Sequence, residues 1–193
     1  ISNITFIKNN ELFAFDIGPG NSLIDDLMEY FYKKNFDFNG KIAFSGKKNK
    51  KIISEVLDDP FYSINYPKSL DRKYFNKFFK ELTLIDKKDS IYTASMITIL
   101  SIMYGIKSIN KKFEKIILTG GGRKNLFIYT HLKKKLLKEN TQLTVIDRYG
   151  IDGDMLESQM FGYLAARSYR NLPLSTPTTT GVKKPISGGA LYK

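Results

Sequence analysis

Residues Leu12 to Asp26 read LFAFDIGPGNSLIDD: an apolar run ending in an acid, then Gly-Pro-Gly, then the start of an amphipathic helix. Five of the six residues from Leu12 to Ile17 are apolar and a glycine follows, which predicts a buried strand with Asp16 at its carboxyl end. Pro19 fixes one φ angle, while Gly18 and Gly20 permit positive φ and would let a ligand approach the backbone with no Cβ in the way. Asn21 or Ser22 can cap the helix behind. A helix start of this kind directs free N–H groups and the positive end of a dipole at the turn, which favours a phosphate. A carboxylate beside a phosphate seat is the raw material of phosphoryl-transfer chemistry.

The chain has 193 residues, enough for one good-sized domain with its own core, and its 42% hydrophobic content is ordinary for a globular protein. Thirty-one basic against 19 acidic residues give a formal charge of +12. Such a charge raises nucleic acid or an anionic surface as a partner. The lysines are spread along the whole chain, however, and Arg is scarce beside Lys, so a composition bias is the preferred reading and neither a nucleic-acid nor a membrane partner is expected. The runs Lys47 to Lys51 and Lys133 to Lys135 are where a nucleic acid would sit. The absence of cysteine excludes disulfides and thiolate metal sites, and the single His131 excludes a multi-histidine one, so no metal-ligand set is assigned. A reducing, cytoplasmic setting is compatible with this. No apolar run approaches the roughly 20 residues a membrane helix needs. The first residue is Ile1 rather than Met and a strand begins almost at once, so the chain is expected to start inside a longer protein.

Taken in order, Asn3 to Ile7 and Leu12 to Ile17 predict a hairpin across Lys8-Asn9-Asn10-Glu11. A helix is predicted from about Ser22 to Lys34, burying Ile24, Leu27, Met28 and Phe31, with Asp25 and Asp26 suited to its first turn. A short helix follows over Lys50 to Leu57. Ser90 to Tyr104 carries apolar residues on more than one face and predicts a helix buried between layers, capped by Asp89 or Ser90. Lys115 to Thr119 is a second buried strand, ended by Gly120-Gly121-Gly122 before a helix from about Lys124 to Lys138, on which His131 is expected to be exposed. Strand, glycine turn and helix form an ordinary βα unit whose spacing is not that of the dinucleotide fingerprint, and the pattern alone leaves a nucleotide site open. Gln142 to Ile146 is another strand. A helix from about Asp154 to Arg170 is expected to bury Leu156, Met160, Phe161, Leu164 and Ala165; Glu157 in its first turn reads as dipole complementation. Residues 172–193, rich in Pro, Thr and Gly, read as a closing strap.

With these segments in hand, a resemblance emerges. FDIGPGNSLIDD is similar to the FDTGPGN-x-L-x-D signature of the anhydro-N-acetylmuramic acid kinases, members of the actin-like/sugar-kinase superfamily. Asn3-Ile4-Thr5 resembles the tail of that family's N-x-GG-x-AN-x-T segment. Asp37, Gly40, Ala43 and Gly46 fit its D-x-x-G-x-x-A-x-x-G stretch. Pro67 to Phe75 resembles PPKSTGRE-x-F, with Tyr66 for the first proline and Leu70-Asp71 for Thr-Gly. LTGGGRKN looks like the superfamily's adenosine motif. Gly150, Ile151, Glu157, Phe161, Leu164 and Ala165 fit a GI-x-x-x-x-x-EA-x-x-FA-x-LA pattern, and Thr180-Gly181 with Gly189 to Tyr192 fit the closing segment. The resemblance spans the whole chain and the carboxyl-terminal half of a family member.

The resemblance implies an α/β domain of the ribonuclease-H-like, actin-like ATPase kind, with a mixed sheet flanked by helices. It implies that ATP, with Mg²⁺, phosphorylates 1,6-anhydro-N-acetylmuramic acid while water opens the anhydro ring, giving N-acetylmuramic acid 6-phosphate for cell-wall recycling. Asp16 would be the general base, with positioning supplying most of its effect. Gly18, Gly20 and Asn21 would cradle phosphate; Gly120, Gly121, Gly122 and Asn125 would meet the nucleoside. Lys68, Ser69, Arg72 and Glu157 would face the sugar. The family's Gly-Thr-Ser-x-Asp-Gly phosphate motif has no counterpart here, so the chain is expected to be a fragment, or one piece of a split enzyme, inactive without its amino-terminal half; a homodimer is also admitted. Another sugar or acid kinase of the superfamily, a non-catalytic nucleotide-binding module and a basic nucleic-acid binder follow as alternatives, in that order.

Overall fold

A computed structural model describes residues 1–190 and 192. The expected hairpin is β1 (Ser2–Lys8) paired antiparallel with β2 (Glu11–Gly18). Asn9 and Asn10 form the two-residue turn, both with positive φ, the backbone that matches the right-handed twist of flanking strands and that asparagine tolerates best after glycine. Helix α1 (Ser22–Tyr32) follows the Gly-Pro-Gly turn and buries Leu23, Ile24, Leu27 and Met28. Then come the short α2 (Lys41–Phe44), α3 (Lys50–Leu57), capped by the Asn49 side chain, and α4 (Phe79–Thr83).

The centre of the molecule is α5, Lys87–Ser108, longer at both ends than its apolar stretch predicts. Asp86 rather than Asp89 or Ser90 caps it, its side chain accepting from the N–H groups of Lys88 and Asp89. The added first turn, Lys87-Lys88-Asp89, is polar and carries no apolar periodicity. The apolar Ile91, Ala94, Ile97 and Ile99 are fully buried, as are Ser90, Thr93, Ser95 and Ser101, so α5 is enclosed on most sides by α1, α2, α3 and the later helix Leu126–Lys138. Its length and composition would suffice to cross a bilayer, but here the helix is the core of a packed layer.

Beyond α5, β3 (Lys115–Leu118) runs parallel to β4 (Gln142–Val145), with α6 (Leu126–Lys138) as the crossover. The architecture is mixed α/β, but the strands form two separate two-stranded sheets, not one mixed sheet. Among the described residues no strand lies between the two pairs to join them. After β4 comes α7 (Leu156–Tyr169), and here the expectation of a buried face fails. No residue of α7 is buried, and Met160 and Phe161 are 46% and 60% exposed. The helix has the predicted apolar residues but no described neighbour to cover them. The closing strap folds on itself through a bridge between Ser175 and Ile186 and returns to the body through α8 (Pro177–Thr180), whose Thr178 hydroxyl donates to the Leu12 carbonyl of β2. The predicted closing match at Gly189 to Tyr192 includes Leu191, which lies outside the described residues.

The contact between β2 and α5 has no room for a side chain. A Cβ on Gly105 of α5 would overlap Ile17 Cγ2 and lie 2.8 Å from Ile17 Cβ. Gly→Ala inside a helix ordinarily stabilises by about 0.5–1 kcal/mol. Gly105→Ala is expected to do the reverse, because over-packing costs about 1–3 kcal/mol. Thermal denaturation of the full-length variant should give a lower Tm; an unchanged or higher Tm would show that the strand and helix can part without loss.

Candidate active site at the carboxyl end of the hairpin

Asp16 sits half-buried near the end of β2, and its position is fixed from the loop that follows the first three helices. Its N–H donates to the Lys68 carbonyl at 2.9 Å, and its Oδ2 accepts from the Leu70 N–H at 2.7 Å. The Pro67 to Arg72 segment therefore reaches Asp16 with its backbone. A main-chain donor of this kind survives side-chain exchange, so Leu70-Asp71 can stand where another pair of residues would serve.

The Gly-Pro-Gly turn is buried and clasped by its neighbours. A Cβ on Gly18 would lie 2.5 Å from Ser101 Cβ, and one on Gly20, whose φ is +59°, would lie 2.7 Å from the Ser2 nitrogen. The buried Thr98 hydroxyl donates to the Gly20 carbonyl at 2.5 Å. The expectation that Gly18 and Gly20 leave space for a ligand is thus corrected: on their Cβ sides these glycines admit α5 and the first strand. Asn21 occupies the position before α1 but makes no capping bond, and Ser22 instead donates to the Pro19 carbonyl at 2.8 Å. Freed from capping, the Asn21 side chain faces the second glycine turn, with its Oδ1 3.3 Å from where a Cβ on Gly122 would stand. The two glycine turns, a hundred residues apart in sequence, meet here.

At that second turn the surroundings are open. A Cβ on Gly120 or Gly121 would meet nothing within 4 Å. Gly120 has φ +69°, which glycine alone adopts without cost. Asn125, predicted to meet a nucleoside, is buried with its Oδ1 accepting from the N–H groups of Phe127 and Ile128, so that oxygen caps α6. Gly40 packs directly on the same oxygen.

The remaining predicted residues divide. Arg72 pairs with Asp26 of α1 at 2.5 Å, which ties the loop to the helix behind the turn. Ser69 is exposed beside Lys68. The Lys68 ammonium donates to the Phe61 carbonyl at 2.9 Å and stands 4.2 Å over the Phe61 ring. Burial draws its pKa down. It lines a groove of about 560 Å³ with Ile17, Tyr62, Lys107, Lys135 and Lys138. Successive side chains of a strand point to opposite faces, so this groove, which includes Ile17, lies behind β2 from Asp16. Glu157 is exposed in the first turn of α7, and among the described residues no hydrogen bond joins it to the other predicted site residues. His131, expected to be exposed, is half-buried: its Nδ1 donates to the Phe127 carbonyl at 2.9 Å and its ring packs on Phe127.

Two features escape the sequence. Thr98 lies in a run of apolar residues, where a threonine gives no sign that it holds a carbonyl 78 positions earlier. Arg123 reads as one more basic residue of a Lys-rich chain, yet its side chain is 4% exposed and clamps two acids, Asp147 and Asp154. Those acids are held below the usual carboxylate range, Asp147 at about 2, by the hydrogen bonds from Arg123.

A family model described as Anhydro-N-acetylmuramic acid kinase matches residues 1–193. The chain belongs to the anhydro-N-acetylmuramic acid kinase family. An anhydro-N-acetylmuramic acid kinase of Pelagibacter ubique is 42% identical over 200 residues, covering 100% of this chain and 53% of the relative. Those of Agrobacterium fabrum and Rhodopseudomonas palustris are 36% and 38% identical, again over 100% of this chain and 52% of their own length. The chain thus spans about half the length of the curated relatives it matches. The family belongs to the sugar-kinase/actin-like ATPase fold, and this span contributes a mixed α/β part of it.

Asp25, in the first turn of α1, has a buried Oδ1 with no hydrogen-bond partner. Burial, and then the neighbouring Asp26 charge, raise its pKa from 3.8 to about 6, with Arg72 pulling the other way. The folded state therefore keeps this proton over a range in which the unfolded chain has released it. Stability falls as pH rises from about 4 to 6. Asp25→Asn should remove that fall, so the variant's stability relative to the parent, read from urea midpoints, should improve across pH 4 to 6 and level off above. A pH-independent difference would contradict the burial of this carboxyl.

Proposed function

We propose that this chain supplies the base and the nucleotide seat of an ATP-dependent kinase acting on 1,6-anhydro-N-acetylmuramic acid, completed by the remainder that relatives carry. The observation that carries the reading is the meeting of the two glycine turns at Asn21 and Gly122, with Asp16 at the end of the strand leading into the first. Backbone and amide groups from two turns converging on open space suit a polyphosphate, which is bound through positioned donors more than through covalent chemistry.

In this mechanism the Leu70 N–H holds Asp16 Oδ2, leaving Oδ1 to take a proton from water. The water oxygen bonds to the anomeric carbon and the anhydro C–O bond breaks. The oxygen released at position 6 accepts the γ-phosphoryl group of ATP, and ADP leaves. Gly120, Gly121 and Gly122 would lie against the nucleotide; Asn21, Gly18 and Gly20 would support its phosphates, the two glycines by setting the turn. Ser69 and the Arg72–Asp26 pair would border the sugar. Lys68 would act through its carbonyl on Asp16, and Glu157 would reach the sugar only as the rest of the protein closes over α7.

Mg²⁺ ordinarily takes one or two carboxylates together with substrate phosphates and water. Among the described residues no three acids or histidines gather, so the ion would be held largely by ATP, whose phosphate charge it would neutralise. No residue of the chain is assigned to it. The finer fold reading, a ribonuclease-H-like mixed sheet, would require a further strand joining the two pairs. A single domain over residues 1–193 closed by the strap at 172–193, a cytoplasmic setting and a homodimer belong to the same proposal.

The test is phosphorylation of 1,6-anhydro-N-acetylmuramic acid by the full-length protein, with Asp16→Asn in parallel. A general base contributes about 10²–10⁴-fold, so kcat should fall by that range in the variant while ATP affinity stays the same. Equal turnover by the variant would remove Asp16 from the mechanism. ATP binding without turnover of this sugar by the parent would redirect the reading to another substrate.

A further inference from the structure

The Arg123 side chain makes four hydrogen bonds inside the molecule. Its Nε and Nη2 donate to Asp147 at 2.7 and 3.0 Å, a two-pronged pairing that matches the fork of the side chain to the carboxylate. Its Nη1 donates to Asp154 at 2.9 Å and to the Gly120 carbonyl at 3.0 Å. Asp147 and Asp154 follow β4 and Gly120 follows β3, so one side chain staples together the segments that leave the carboxyl ends of both parallel strands. Lys124 also pairs with Asp154, so that acid is shared between two cations.

The consequence lies in the peptide that joins Gly120 to Gly121. Its carbonyl is held twice by the same residue, by the Arg123 N–H at 3.2 Å and by Nη1. In a planar trans peptide the N–H points opposite to the carbonyl. Drawing the Gly120 carbonyl toward Arg123 therefore turns the Gly121 N–H away from it. Gly120 and Gly121 have no side chains and border open space, so beside the single main-chain bond at residue 123 the guanidinium is the one side chain that holds this carbonyl among the described residues. With Cβ-less residues on both sides, the peptide could otherwise rotate at little cost.

We infer that Arg123 is a positioning residue for nucleotide: it locks the Gly120–Gly121 peptide so that its N–H is presented to the bound nucleotide. This deepens the kinase reading above and rests on it. Gly153 offers an independent handle. A Cβ there would lie 2.5 Å from Arg123 Nε and 2.6 Å from Cζ, and Gly153 has no positive φ that would strain an alanine. The contacted atoms are the far end of the Arg123 side chain, so Gly153→Ala is expected to displace the guanidinium from its place between the two acids. It should therefore reproduce the loss of Arg123 without touching the glycine turn.

The experiment compares Arg123→Ala, Arg123→Lys and Gly153→Ala with the parent in the full-length protein, by calorimetric titration with ATP and by kinetics in both substrates. A hydrogen bond involving a charged group is worth enough that ATP affinity should weaken by about tenfold or more in Arg123→Ala and Gly153→Ala. The lysine should not restore it, because a single ammonium cannot meet two acids and a carbonyl in the same fork. The KM for the sugar and kcat should stay within about twofold of the parent. Unchanged ATP affinity in both variants would overturn the inference, as would a parallel loss in ATP affinity, sugar KM and kcat with a lowered Tm, which is the mark of a structural role alone. Failure of the parent to bind ATP would overturn the kinase reading itself, a result distinct from either.

Discussion

The strand that carries Asp16 lies so close to α5 that only glycine fits between them. Gly105 on the helix admits Ile17, Gly18 on the strand admits Ser101, and the Thr98 hydroxyl holds the Gly20 carbonyl. This close approach sets the height of the hairpin over the core and, through Gly20, the direction in which α1 leaves. Everything in the candidate site inherits that placement. Asn21 is turned toward Gly122 because the turn before it is clasped from behind, and Asp16 meets the Leu70 N–H because β2 ends at that level. A dense, rotamer-locked interior transmits position in this way where a looser one would not.

The two glycine turns look alike in sequence and act differently. Around Gly18 and Gly20 the missing side chains make room for the protein's own backbone and helix; around Gly120 and Gly121 they leave open space. One turn is rigid through contact and the other through Arg123. In both, the conformational freedom of glycine is removed by specific bonds, which is what a site that binds by pre-positioned donors requires.

Local signals were read where local physics decides. The hairpin, α3 and the parallel strands lie within a residue or two of where apolar runs and turn residues indicate, and Asp16 is visible as an acid at a strand end, but β3, expected to be buried, has no buried residue. The start of α5 at Asp86 is a local cap that the apolar pattern does not reveal, because the turn it caps is polar. Where distant contacts decide, the sequence was silent or misleading. The apolar stripe of α7 is present, but burial depends on a neighbour that sequence spacing does not specify. Lys68, expected to face the sugar, is folded onto Phe61, while Arg123, for which the sequence carries no signal, has a side chain only 4% exposed. Burial of a charge is set by partners far along the chain, here 24 and 31 residues away, and no local pattern announces them.

The central claim is that one nucleotide touches both turns at once. It is tested most directly by amide hydrogen exchange on the full-length protein with and without a non-hydrolysable ATP analogue. The account predicts protection at residues 18–22 and 120–122 together, with the 104–108 and 135–139 segments around the lysine-lined groove unchanged. Protection confined to that groove, or to one turn without the other, would contradict it.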